Sequence, residues 1–102
     1  MPQSIIYLEF GCDFNQAVDH LPQSITHLIL GSADFSAVFN QPVNNLPHSI
    51  THLTFGYQFN QSVDNLPQSI THLTFDWAFD QPVNNLPESI TNLIFGFSLI
   101  RV

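Results

Sequence analysis

Apolar positions in this chain recur over a long, fixed distance. In Ser49–Val63, which reads SITHLTFGYQFNQSV, Ile50, Leu53, Phe55, Phe59 and Val63 stand among mainly polar neighbours. Ser24–Leu28, Ser49–Leu53 and Ser69–Leu73 all read SITHL; Ser89–Leu93 carries Asn92 for His, and Ser4–Leu8 is a looser copy. Pro2, Pro22, Pro47, Pro67 and Pro87 open the copies, at spacings of 20, 25, 20 and 20 residues. Such a unit cannot bury its apolar residues alone, so a fixed period predicts stacked coils around a continuous core. The reading is one domain over residues 1–102, with repeats at about 2–21, 22–46, 47–66, 67–86 and 87–102.

Each repeat divides in two. The first half, as in Ile50-Thr51-His52-Leu53-Thr54-Phe55, alternates at its end and is rich in β-branched residues, which predicts a short strand. The second half, as in residues 60–69, is polar and contains Pro67, with Pro42 and Pro82 added in two copies. Proline and the Asn/Asp clusters exclude a regular helix there. The five extra residues of repeat two fall within Ser32–Val38.

Ile50, Leu53 and Phe55 match the LxxLxL strand pattern of leucine-rich repeats. Phe55-Gly56-Tyr57-Gln58-Phe59-Asn60-Gln61 resembles the FGxxFN motif of FNIP-type leucine-rich repeats, known mainly from giant viruses and amoebae. Phe10-Gly11 through Asn15-Gln16 repeats it in full, and the resemblance covers residues 2–99. Repeat four departs from it with Asp76 for Gly and Asp80 for Asn; repeat five has Leu99 for the second Phe and no Asn. The resemblance implies a β-rich solenoid of about five coils, with short parallel strands on one face and a non-helical convex side. It also implies binding or scaffolding roles and no catalytic residues.

Stacking in register predicts inward columns. Ile5, Ile25, Ile50, Ile70 and Ile90 form one, and Leu8, Leu28, Leu53, Leu73 and Leu93 a second. Phe10, Leu30, Phe55, Phe75 and Phe95 form a third. Phe14, Phe39, Phe59 and Phe79 form a fourth, so two aromatic spines flank the turn. A Val column (Val18, Val43, Val63, Val83) and a Leu column (Leu21, Leu46, Leu66, Leu86) close the far side. Asn15, Asn40 and Asn60 are expected to point inward and bond the neighbouring coil's backbone; the alternative leaves them exposed in turns. Asp80 accepts but cannot donate when ionised, which makes it the expected weak rung.

Residues between the columns face outward on the concave strand side, in two rows. Tyr7, His27, His52, His72 and Asn92 form one; Glu9, Ile29, Thr54, Thr74 and Ile94 form the other. Three stacked histidines invite a metal reading. Zinc, however, needs ligands that converge tetrahedrally at about 2.0–2.3 Å, and ladder residues project in parallel. The expectation is an imidazole ladder with no metal and no cofactor. His20 and His48 read as ordinary surface residues. Trp77 is either an exposed anchor or a turn residue with its ring folded back. Asp13, Asp19, Asp64 and Glu88 occupy variable turn positions, which argues against catalysis.

Charge narrows the partners. Arg101 is the only Lys or Arg, against eight acidic residues, giving a formal net charge of −7. Nucleic-acid binding rests on neutralising phosphates with Lys and Arg, and anionic membrane surfaces need the same, so neither is expected. No apolar run reaches the roughly 18 residues of a spanning helix. Met1-Pro2 leads straight into a repeat, so no signal peptide is expected. Cys12 stands alone, which excludes an internal disulfide and fits an intracellular, reducing compartment. Phe95, Phe97, Leu99, Ile100 and Val102 make the C-terminal stretch apolar. An open strand edge beside it predicts self-association, most simply as a homodimer. The functional expectation is a non-enzymatic protein-binding scaffold using the strand face. The alternative is a structural protein whose main partner is itself.

Overall fold

A computed structural model describes residues 4–31 and 36–96. It has five four-residue strands: β1 Tyr7–Phe10, β2 His27–Leu30, β3 His52–Phe55, β4 His72–Phe75 and β5 Asn92–Phe95. They form one parallel sheet in the order β1-β2-β3-β4-β5. Register is that of the repeat: Tyr7 lies opposite His27, His27 opposite His52, His52 opposite His72 and His72 opposite Asn92. No helix occurs among the described residues, so none there is long and apolar enough to cross a membrane. The architecture is a parallel β-solenoid.

Two tight turns shape each coil. After the strand, the Phe59 amide donates to the Gly56 carbonyl at 3.3 Å, as Phe14 does to Gly11 and Phe79 to Asp76, both at 3.2 Å. This turn folds the second Phe back onto the first: centroids of Phe10 and Phe14, Phe55 and Phe59, and Phe75 and Phe79 are each 3.8 Å apart. Before the strand, Ile25, Ile50, Ile70 and Ile90 donate to Pro22, Pro47, Pro67 and Pro87. Proline suits that position because only its carbonyl is needed. Gly31, which follows β2, sits at φ +85°, a conformation costly for any residue with a Cβ.

The core runs along the solenoid axis. Ile25, Ile50, Ile70, Leu28, Leu53, Leu73, Leu30, Phe55, Phe75, Phe39, Phe59 and Phe79 are buried, with Val18, Val43, Val63, Leu46 and Leu66 closing the far side. The columns weaken in the outer coils. Ile5, Leu8, Phe10 and Phe14 are half-buried, and Leu93, Phe95 and Val83 are exposed despite their places in the columns. Among the described residues, Leu93 and Phe95 have a neighbouring coil on one side only.

Polar files lock the coils together. Each Thr before a strand accepts two backbone bonds from the next coil: Thr51 and His52 amides both donate to the Thr26 carbonyl, at 2.8 and 3.0 Å. Ser24, Ser49, Ser69 and Ser89 hydroxyls donate to the carbonyls of Ile5, Ile25, Ile50 and Ile70 at 2.5 to 2.6 Å.

Candidate binding face

The sheet's outer face carries both expected rows. Each His is the first residue of its strand and points away from the core, because the next residue, Leu28, Leu53 or Leu73, takes the inward position. Parallel register then stacks the rings. His27 and His52 centroids are 4.2 Å apart with an interplanar angle of 10°, and His52 and His72 4.2 Å apart at 12°. Tyr7 extends the stack at 5.9 Å from His27, and its hydroxyl donates to Glu9 Oε1 at 3.4 Å. Asn92 ends the row, and Glu9, Ile29, Thr54, Thr74 and Ile94 run beside it.

A threonine fixes each ring. Thr51 Oγ1 lies 2.8 Å from His52 Nδ1 and 3.2 Å from the Thr26 carbonyl. Thr71 repeats this with His72 Nδ1 at 2.8 Å and the Thr51 carbonyl at 3.2 Å. A hydroxyl has one proton, and a carbonyl only accepts. Both contacts are hydrogen bonds only if the hydroxyl donates to the carbonyl and Nδ1–H donates to the hydroxyl. That arrangement assigns the Nδ1–H tautomer and leaves Nε2 as the free acceptor. Burial first, then the proximity of His27 and His72, lowers the His52 pKa below its ordinary value.

The rows hold no converging ligand set. Among the described residues no group of three or more His, Cys, Asp and Glu is placed to hold a metal ion, because stacked rings aim their nitrogens in parallel. Asp13, Asp19, Asp64 and Glu88 are exposed on the turns and are not brought together. His20 and His48 are exposed in the connections. Trp77 is 42% exposed on the turn after β4.

The asparagine file departs from its expected place. Asn15 and Asn40 are exposed and Asn60 half-buried, because the preceding Phe takes the inward position and alternation turns the Asn outward. The bonds to the next coil's backbone are nonetheless present. Asn15 Oδ1 accepts from the Asn40 amide at 2.9 Å and Gln41 Nε2 at 3.0 Å. Asn40 Oδ1 accepts from Asn60 and Gln61 at 2.8 and 3.1 Å, and Asn60 Oδ1 from Asp80 and Gln81 at 2.9 and 3.0 Å. Every rung uses the side chain as an acceptor. Asp80 therefore need not be a weak rung, since a carboxylate supplies the same oxygen. The serine file and the Gln41, Gln61 and Gln81 bonds were not anticipated. Their signal was present, since each residue recurs at one place in successive repeats.

The fold and the in-register files define a leucine-rich-repeat type of solenoid. The FNIP repeat family profile matches residues 1–33, 39–65 and 62–98, and the chain belongs to that family. It is also similar to a solved structure described as a novel circular leucine-rich repeat protein of the giant virus CroV. The two share 40% sequence identity with a TM-score of 0.63 over 94% of this chain. This chain spans 18% of the length of that protein. A search of curated proteins finds no significant match.

Proposed function

We propose that this chain is a non-enzymatic protein-binding scaffold whose contact surface is the outer face of the five-stranded sheet. The supporting observation is the continuous strip of rings, hydroxyls and amides from Tyr7 to Asn92, held in fixed register by the inter-coil bonds. Rigid side chains lose little conformational freedom on binding. The described residues include no Lys or Arg, so the partner is a protein surface rather than a nucleic acid or an anionic membrane. Cys12 carries a free thiol, which supports a reducing intracellular compartment. The test is quantitative capture from cell lysate with wild type, a Thr54→Lys/Thr74→Lys face variant, and an Asn45→Lys variant on the opposite side. The expected result is a binder lost with the face variant and kept with the Asn45 variant. An identical set of binders for all three would overturn the reading.

A second reading, self-assembly, is favoured by one observation. Among the described residues β5 pairs with β4 alone, and its Leu93, Ile94 and Phe95 are 41%, 57% and 37% exposed, apolar surface of the kind that association covers. Phe97, Leu99, Ile100 and Val102, which the same expectation names, lie outside the described residues. On this reading light scattering gives twice the 11.5 kDa chain mass. A monomer at micromolar concentration would rule it out.

A further inference from the structure

We propose that the histidine file is a pH-sensing strip built into the sheet face, whose middle ring, His52, is kept neutral into mildly acidic pH by the imidazole stacked on either side of it. Its use in partner choice rests on the binding reading above; its existence does not.

The geometry carries the inference. His52 has an imidazole 4.2 Å away on each side. His27 and His72 each have one imidazole neighbour, their other neighbours in the row being Tyr7 and Asn92. A like charge within about 4–6 Å disfavours the charged form, so a proton on His52 meets two opposing rings and a proton on an end ring meets one. Of the elements packed against the file, β1 contributes Tyr7 and Glu9, β2 Ile29, β3 Thr54, β4 Thr74, and β5 Asn92 and Ile94, with Thr26, Thr51 and Thr71 behind the rings. Glu9 is the one carboxylate among these, and it sits at the β1 end, beyond His27 from His52.

The threonines let the file charge without breaking. Nδ1–H already donates to Thr Oγ1, so an added proton goes to Nε2 on the open side and leaves the Thr contact in place. Between neutral and mildly acidic pH the strip thus changes its charge while keeping its stacked geometry. A partner lying across the strip would be selected by proton concentration.

The test is an NMR titration of the histidine side chains in the full chain, from pH 8 to 4.5, without any partner. The expected result is a midpoint for His52 below the ordinary imidazole value of about 6.5. In a His27→Asn/His72→Asn variant the His52 midpoint should move up. Asparagine is the residue the row itself uses at position 92, facing Thr91 as each His faces its Thr, so the coils accommodate it. A His52 midpoint at or above the ordinary imidazole value in wild type would overturn the proposal, as would an unmoved His52 midpoint in the double variant. Both outcomes are read on the free chain, so they are distinct from a failure of the lysate experiment, which concerns the partner alone.

Discussion

Two of the files of stacked rings that run along this molecule lie on opposite sides of the sheet, one inside and one outside. Inside, Phe39, Phe59 and Phe79 stack at 6.1 and 6.2 Å with planes within 7° of parallel. Outside, His27, His52 and His72 stack at 4.2 Å. The same period builds both, since parallel register brings like residues together at the strand spacing of about 4.8 Å. Position alone decides what the stacking does. Inside, apolar rings bury surface and hold the coils together, with offset pairs adding about 0.5–1.5 kcal/mol each beyond burial. Outside, the imidazoles bury less surface and stand where solvent can reach them. Repetition is thus a way of making contacts whose value depends on which side of the sheet they fall.

The largest test removes an inner rung. Phe59→Ala should cost about 3–5 kcal/mol, because stiff stacked coils cannot collapse into the cavity. That is a large share of the roughly 5–15 kcal/mol of a small domain. Thermal unfolding should show a near-unfolded variant, and a melting point within a few degrees of wild type would remove the inner file from the comparison.

The next test forces the coils apart and so strikes both files. A Cβ on Gly56 would lie 2.5 Å from the Gly31 carbonyl oxygen and 3.0 Å from the Ala37 Cβ, whereas one on Gly11 would meet nothing within 4 Å. Gly56→Ala should destabilise by about 1–3 kcal/mol through overpacking, and Gly11→Ala far less. Equal melting points for the two would show that coil spacing is slack there.

A smaller effect sharpens the role of the outer polar clamps. Asn60→Ala removes the acceptor for the Asp80 amide and Gln81 Nε2 and should cost about 1 kcal/mol. Asn60→Asp keeps that oxygen and should cost clearly less. Chemical denaturation of the two variants decides; a costlier Asp would mean that the amide nitrogen also matters.

The smallest effect is at the outer rings. His52 has a lowered pKa in the folded chain, through burial first and its two histidine neighbours second. The unfolded chain, with an ordinary imidazole near 6.5, then binds more protons at mildly acidic pH. Stability is therefore full above about 6.5 and declines as pH falls from there to the lowered folded value. Melting points at pH 7.5 and 5 should differ less in His52→Asn than in wild type. An unchanged difference would show the outer stack to be electrostatically silent.

The inner file was legible in the sequence because Phe14, Phe59 and Phe79 keep one offset from the strand, and a column of large apolar residues has only one favourable side. The histidine row was legible for the same reason of alternation. Asn60 was misplaced because its chemistry, a donor and acceptor for unpaired backbone, suits a buried position as well as a surface one. Only the turn geometry, which spends the inward direction on Phe59, settles the matter. Ser24, Ser49, Ser69 and Ser89 recur visibly in the sequence, yet their role is not readable there, since their bond to an isoleucine carbonyl needs the coil below to exist. Leu93 and Phe95 continue apolar columns in sequence yet lie exposed, because periodicity specifies a residue's direction and says nothing of whether a coil covers it.

The long second coil changes how freely this chain can be lengthened. Its inter-coil bonds resume directly after the added residues: the Val38 amide donates to the Cys12 carbonyl at 2.9 Å, and the Gln58 amide to the Ala37 carbonyl at 3.3 Å. Side-chain bonds between coils join positions 19 to 26 residues apart, so every coil is a closed loop of similar size. Loop-closure entropy grows only with the logarithm of length, and going from 20 to 25 residues adds about 0.2 kcal/mol. The stretch between Gly31 and Ala37 is thus a natural graft point. A foreign peptide spliced between Gly31 and Ala37 would be displayed at the end of the sheet at almost no thermodynamic cost, with the ladder on either side left in register.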